Sequence, residues 1–270
     1  MEARINGVRL SWRDAGRGEP VLLLHPFPFH GGIWEGQLER LAGRMRLIAP
    51  DMRGFGGSER GAGDGPLTMD QHADDMAALL DHLGIEAATL CGVSMGGYVA
   101  FALWRRHRER VRALVLCDTR AAADTEAARR ARAQLAIRVR REGTKAAVDA
   151  MLPNLISPTT RREHSEVEAR LREIAESIEP ETIVRALEGL ASRPDSTELL
   201  PTITVPTLVL HGAEDATVPV DEARAIADRI PGAELRIIDG AGHLPMVEKP
   251  EEFDAALVEF IEATAGRSDR

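Results

Sequence analysis

This 270-residue sequence contains few cysteines and has no excess of basic residues over acidic ones. The two cysteines, Cys91 and Cys117, each lie within an apolar run, so they are predicted to be small buried residues rather than redox or metal-binding groups. Lys and Arg total 34 against 43 Asp and Glu, which gives a net charge of −9. A broad surface for nucleic acid is therefore not expected, and the arginine-rich stretch 129–141 is interpreted as the solvated face of a helix.

Long apolar runs are also lacking. No run approaches the roughly 18 residues that a membrane-crossing helix needs. The charged segment 1–10 shows no apolar stretch followed by a cleavage site, so no signal peptide is expected. We therefore expect no membrane partner and a cytoplasmic location. The length suits one large domain, or a domain with a sizeable insertion.

What the sequence does contain is an alternation of short apolar strands with helical patterns. Asn6-Gly7 predicts a tight hairpin turn near the start of the chain. Further strands are predicted at 8–13, 21–25, 47–49, 88–93 and 111–117, and helices at 32–41, 68–83 and 96–107. Such alternation with short connections is typical of a mainly parallel sheet covered by helices on both faces.

Between residues 120 and 200 the alternation stops, and no strand is predicted. Helical patterns punctuated by prolines are predicted there at 125–141, 144–151, 160–177 and 181–191. Strands are predicted again at 207–211 and 234–238, with helices at 220–230 and 250–263 and a frayed tail at 266–270. The predicted organisation is a core domain of residues 1–119 and 201–270, interrupted by a helical insertion of residues 120–200.

The strongest chemical signal is the segment Gly92-Val93-Ser94-Met95-Gly96, which joins an apolar strand to a helix. A chain that turns sharply between a strand and a helix needs small residues beside the turn, and it exposes the serine above the sheet. The turn also points the first N–H groups of the helix at whatever is bound to the hydroxyl. Ser94 is therefore the predicted nucleophile, with a simple N-cap as the alternative interpretation.

A serine nucleophile requires a base, and a histidine base requires an acid that fixes its tautomer. His243 follows the last predicted strand and precedes the last helix, so it is the predicted base. Asp215 follows the strand 207–211 and is the predicted acid, while Asp118 and Asp239 end two other strands and remain rivals. The order serine, aspartate, histidine, each after a strand, is the order that the α/β-hydrolase fold uses.

Acyl transfer also requires hydrogen-bond donors for an oxyanion. One predicted donor is the backbone N–H of Met95, directly after the nucleophile. The other should come from the loop 25–30, where Pro26 and Pro28 have no N–H to donate. Phe27 is therefore the predicted second donor.

Together these stretches resemble the α/β-hydrolase superfamily, in the subgroup of small serine esterases, enol-lactonases, C–C bond hydrolases and cofactor-free perhydrolases. The resemblance spans nearly the whole chain outside the insertion, and its matching segments are 25–28, 51–58, 92–97, 211–219 and 240–245. One departure is Pro26, where the family usually has glycine. The resemblance implies an eight-stranded, mainly parallel sheet with helices on both faces, and a helical cap formed by the insertion.

The resemblance further implies a serine esterase that cleaves a small-molecule ester through an acyl-enzyme on Ser94, with no metal or other cofactor. An enol-lactonase, a C–C bond hydrolase or a perhydrolase would use the same triad, and a non-catalytic binding protein of this fold is a further alternative. The chain would act on an ester or lactone as a monomer or a homodimer. The candidate pocket residues, for which core packing is the alternative, are Trp34, Met151, Leu152, Leu155 and Ile156.

Overall fold

The computed structural model describes residues 1–265, so the tail expected at 266–270 lies outside the described residues. Within them, eight strands form one sheet in the order β1-β2-β4-β3-β5-β6-β7-β8. The strands are β1 (Glu2–Ile5), β2 (Val8–Ala15), β3 (Pro20–Leu24), β4 (Arg46–Asp51), β5 (Ala88–Val93), β6 (Val111–Cys117), β7 (Thr207–Gly212) and β8 (Glu234–Ile238). Pairs that include β2 are antiparallel and the others are parallel. The predicted mainly parallel, eight-stranded sheet is confirmed.

The central strands are buried along their whole length. Every residue of β5 and β7 is buried, as expected for parallel strands covered on both faces. The two cysteines are buried and unpaired, in agreement with the prediction. At the edge of the sheet, Asn6 and Gly7 have φ values of 46° and 80° and form the two-residue turn between β1 and β2.

Helices cover both faces of this sheet. Their bounds are α1 (Glu35–Leu41), α2 (Met69–His82), α3 (Met95–Arg106), α4 (Glu126–Glu142), α5 (Lys145–Leu155), α6 (Pro158–Glu163), α7 (Ser165–Glu176), α8 (Pro180–Ala191), α9 (Val220–Arg229), α10 (Pro245–Glu248) and α11 (Pro250–Ala265). Helices α2, α3 and α9 contribute to one apolar core, and α1 and α11 contribute to the other. None of the helices described is both long and apolar enough to span a bilayer.

The segment between β6 and β7 is helical, with α4 to α8 in succession. Two helices differ from the prediction. The helix expected at 144–151 continues to Leu155, and the single helix expected at 160–177 is two helices that meet at His164. The side chain of Ser157 accepts a hydrogen bond from the Thr160 N–H, and Pro158 occupies the first helical turn, so α6 starts two residues early. Pro153, expected to punctuate the segment, lies inside α5.

Candidate active site

Ser94 occupies a strained turn between β5 and α3. Its φ of 52° and ψ of −111° are unusual for a residue with a side chain, and such strain is common at functional sites. A Cβ atom at Gly92 would lie 2.4 Å from the carbonyl oxygen of Gly96, and one at Gly96 would lie 2.1 Å from that of Leu24. Only glycine fits at these two positions, so the close packing of strand and helix depends on them.

His243 is held by Asp215. Nδ1 of His243 lies 2.7 Å from Oδ2 of Asp215, and both side chains are buried. Oδ1 of Asp215 accepts hydrogen bonds from the N–H groups of Thr217, at 2.7 Å, and Val218, at 3.0 Å. Burial works to raise the pKa of Asp215, but the charge of His243 and these hydrogen bonds lower it overall. An ionised Asp215 fixes the proton on Nδ1 and leaves Nε2 to act as a base.

One rival acid, Asp118, lies close to this pair, since a carboxylate oxygen of Asp118, one of Asp215 and a ring nitrogen of His243 all lie within 4.8 Å of one another. Oδ1 of Asp118 accepts a hydrogen bond from the N–H of Gly212 at 2.9 Å, and Cys117 Sγ lies 2.9 Å from Oδ2. Burial, with the charge of Asp215, raises the pKa of Asp118 well above its usual range. This shift favours the neutral form of Asp118, whereas Asp215 is the carboxylate that lies against Nδ1 of His243. Asp239 is exposed to solvent.

The loop after β3 is held in place by a buried histidine. Nε2 of His25 accepts the N–H of Met52 at 3.1 Å, and Nδ1 lies 3.1 Å from the carbonyl oxygen of Pro26. Burial lowers the pKa of His25 to about 4, so the ring is neutral and makes both hydrogen bonds. The next residue, Phe27, lies beside Ser94 in the cavity, and the Phe27–Pro28 peptide is cis.

A cavity of about 310 Å³ lies above Ser94. We call its two sides the strand-side wall, formed by Phe27, Ser94, Met95, Thr217, Val218 and His243, and the helix-side wall, formed by Ala128, Ala131, Arg132, Leu135, Met151, Leu155, Leu187 and Leu190. Among residues 1–265, the N–H of Phe27 has no backbone acceptor, and Met95 is the first residue of α3, so its N–H has no acceptor within that helix. Both donors therefore remain available beside the serine.

The five pocket candidates separate into two groups. Met151 and Leu155 line the cavity. Leu152, Ile156 and Trp34 are buried in an apolar core, where the Trp34 ring lies 6.0 Å from that of Phe253. For Leu152, Ile156 and Trp34 the alternative interpretation, packing in the core, therefore applies.

Sequence patterns alone do not identify several cavity residues, notably Tyr98, Arg120, Asp124 and Arg132. Arg132 belongs to the stretch 129–141 that was expected to be a solvated helix face. Its guanidinium instead binds the buried Asp124, so the interpretation is wrong at this position. A signal was available, because Ala128, Ala131 and Leu135 recur at helical spacing on the side of α4 that carries Arg132.

Buried Glu248 connects the loop of His243 to the start of α6, and this role was not predicted from the sequence. Its Oε1 accepts the N–H groups of Gly242 and Leu244, at 3.0 and 3.1 Å, on either side of His243. Its Oε2 accepts the N–H of Ser157 at 2.7 Å and the hydroxyl of Thr160 at 2.9 Å. One carboxylate thus joins the histidine loop to the start of α6.

A parallel sheet of this kind, with a serine on a sharp turn after one strand and an aspartate-bound histidine after later strands, is typical of the α/β-hydrolase class. The family model for the alpha/beta hydrolase fold matches residues 19–250, and the chain belongs to this family.

Several known proteins are similar to this chain over nearly their whole length. A thermophilic esterase from Thermogutta terrifontis, solved with malate bound, is 42% identical over 98% of both chains, with a TM-score of 0.93. The 2-hydroxymuconate semialdehyde hydrolase of Pseudomonas sp. (strain CF600) is 33% identical over 94% of this chain and 91% of its own. The enol-lactonase from Burkholderia xenovorans LB400 is 29% identical over 97% of this chain and all of its own, with a TM-score of 0.89.

Proposed function

We propose that the protein is a serine esterase that cleaves a small-molecule carboxylic ester through an acyl-enzyme on Ser94. The observation that carries the proposal is that Ser94, on its strained turn, and His243, oriented by Asp215, open onto one cavity. The similar esterase from Thermogutta terrifontis supports ester hydrolysis in particular. In this proposal, the inserted helices act as a cap that shapes the substrate pocket.

The proposed reaction has two halves. Oγ of Ser94 attacks the ester carbonyl carbon while Nε2 of His243 takes the hydroxyl proton. The N–H groups of Phe27 and Met95 donate to the oxyanion. As the intermediate collapses, the bond to the leaving oxygen breaks, and His243 returns the proton to that oxygen. Water then attacks the acyl-enzyme, His243 takes its proton, and the acid is released as Ser94 recovers its hydrogen.

An enol-lactone or C–C bond hydrolase is the second candidate. The relatives that favour it are the semialdehyde hydrolase, at 33% identity, and the enol-lactonase, at 29%. These substrates would use the same triad, so a panel that contains esters, lactones and vinylogous diketones separates the two candidates.

The test compares wild type with Ser94→Ala on 4-nitrophenyl esters from acetate to decanoate. We expect the variant to lose kcat/KM by a factor on the order of 10⁶, because a triad without its nucleophile retains little activity. Ser177→Ala, at an exposed serine, is the matched control and should behave as wild type. A serine-directed phosphonate should add its mass to wild type and to the control, and not to Ser94→Ala. Full esterase activity in Ser94→Ala would refute the proposal.

A further inference from the structure

The cavity contains charged groups that the proposed chemistry does not use. Arg120 follows β6, is half-buried and lines the cavity. One of its terminal nitrogens, Nη2, donates to the carbonyl oxygen of Thr217 at 2.8 Å. Its Nε is buried and has no hydrogen-bond partner among residues 1–265. An arginine has five N–H donors, so this guanidinium retains donors for a further acceptor in the cavity.

Other arginines already pair with the acid of this region, Asp124. Arg132 donates to Oδ2 of Asp124 at 2.5 Å, and the buried Arg193 donates to Oδ1. Burial works to raise the pKa of Asp124, but these two guanidinium groups lower it overall, so the carboxylate is ionised. Among the residues that line the cavity there are thus two guanidinium groups, those of Arg120 and Arg132, and one carboxylate, that of Asp124. Asp124 binds Arg132, so Arg120 is the guanidinium of the lining that it does not bind.

The other carboxylate of the site, that of Asp215, accepts hydrogen bonds from two backbone N–H groups, lies against Nδ1 of His243 and does not line the cavity. The lining of the cavity therefore contains one more guanidinium than carboxylate, although the whole chain has a net charge of −9. Such an excess favours an anion inside the cavity over a neutral molecule of equal size.

We propose that the natural substrate has a carboxylate remote from the bond that is cleaved, and that Arg120 binds this carboxylate. A carboxylate is the acceptor that matches a guanidinium best, since it takes charge-assisted hydrogen bonds in the plane of the group. This inference rests on the proposed function and narrows it to anionic esters or lactones. Arg132 is already paired with Asp124, so we do not assign it a direct contact with the substrate carboxylate.

The test uses two esters with the same number of acyl carbons, mono-4-nitrophenyl adipate and 4-nitrophenyl hexanoate. The measured quantity is the ratio of kcat/KM for the adipate to kcat/KM for the hexanoate. In Arg120→Gln we expect this ratio to fall about 10- to 100-fold, the usual range for losing a hydrogen bond to a charged group. The loss should appear mainly in KM, because a remote carboxylate is bound alike before and during the reaction.

Two further variants distinguish charge recognition from support of the loop at Thr217. Arg120→Lys keeps the charge and should recover most of the ratio. Arg129→Gln, at an exposed arginine of the same helix as Arg132, should leave the ratio at its wild-type value. A purely structural role predicts that Arg120→Gln slows both esters equally, and an unchanged ratio would overturn the proposal.

Binding separates failure of this inference from failure of the proposed function. Adipate itself should raise the melting temperature of Ser94→Ala, and should raise it less when Arg120→Gln is added. If neither ester is hydrolysed but this protection is seen, the esterase proposal fails and the carboxylate site stands. Equal protection, or none, in both backgrounds overturns the carboxylate site even where the esters are hydrolysed.

Discussion

The two walls of the cavity are built by different means. On the strand-side wall, backbone geometry determines where the reactive atoms lie: the strained turn at Ser94, the glycine contacts beside it and the backbone hydrogen bonds to Asp215. On the helix-side wall, side chains from α4, α5 and α8 form the surface, and none of them belongs to a strand. The chemistry is therefore rigidly specified, whereas the choice of substrate depends on replaceable side chains.

The rigidity of the strand-side wall follows from the register of the sheet. Leu24 pairs with Gly92, and Val93 pairs with Cys117, so parallel strands end together at one edge. Ligands of open α/β sheets bind at this edge because the loops that leave the strands converge there. A substitution on this wall should reduce the rate for every substrate, whereas one on the helix-side wall should alter the preference among substrates.

The largest effect predicted for the strand-side wall concerns its two buried aspartates. Asp215→Asn should lower kcat by about 10³- to 10⁴-fold, since an amide no longer holds the imidazole in the required tautomer. Asp118→Asn should change kcat by less than about threefold, because burial and the charge of Asp215 raise the pKa of that carboxyl and so favour its neutral form, which an amide resembles. The measurement is kcat on one short ester for both variants and wild type.

Melting temperature controls for folding, since both side chains are buried. Equal losses of kcat in two folded variants would show that the aspartates act as one unit. A larger loss in Asp118→Asn would reverse the assignment of the acid.

A smaller effect is expected at Glu248, which joins the loop of His243 to the start of α6. Glu248→Gln replaces an oxygen that accepts two hydrogen bonds with an NH₂ group that faces other donors. We expect kcat to fall about 10- to 100-fold, because a small displacement of His243 impairs proton transfer. Glu252→Gln, at an exposed position of α11, is the matched control.

The decisive readout is kcat measured well below the melting temperature of the variant. A residue that only supports the fold would lower the melting temperature and leave kcat intact. That result would show that Glu248 does not position His243.

The same comparison explains what could be predicted from the sequence. Ser94, Asp215 and His243 each follow a strand within a short motif, so local patterns suffice to place them at one edge. The helix-side wall depends on how separate helices pack, which no local pattern specifies. Met151 and Leu152 are neighbours with similar chemistry, yet only packing decides that the first lines the cavity and the second enters a core. The role of Glu248 could not be predicted for the same reason, since two of its partners, Ser157 and Thr160, lie far from it in the sequence.

Met151 and Leu152 also offer the mildest test of the comparison. Met151→Ala should enlarge the cavity and raise the ratio of kcat/KM for octanoate over butyrate esters about 10-fold, the lower end of the range that one methylene is worth in an apolar pocket. Leu152→Ala should leave that ratio unchanged and cost about 2–5 kcal/mol of stability, because Leu152 is buried in the core. Chain-length profiles and denaturant unfolding measure the two effects separately. If Leu152→Ala shifted the chain-length profile as much as Met151→Ala does, substrate preference would depend on the packing of α5 as a whole. The residues of the helix-side wall could then not be exchanged independently of the core behind them.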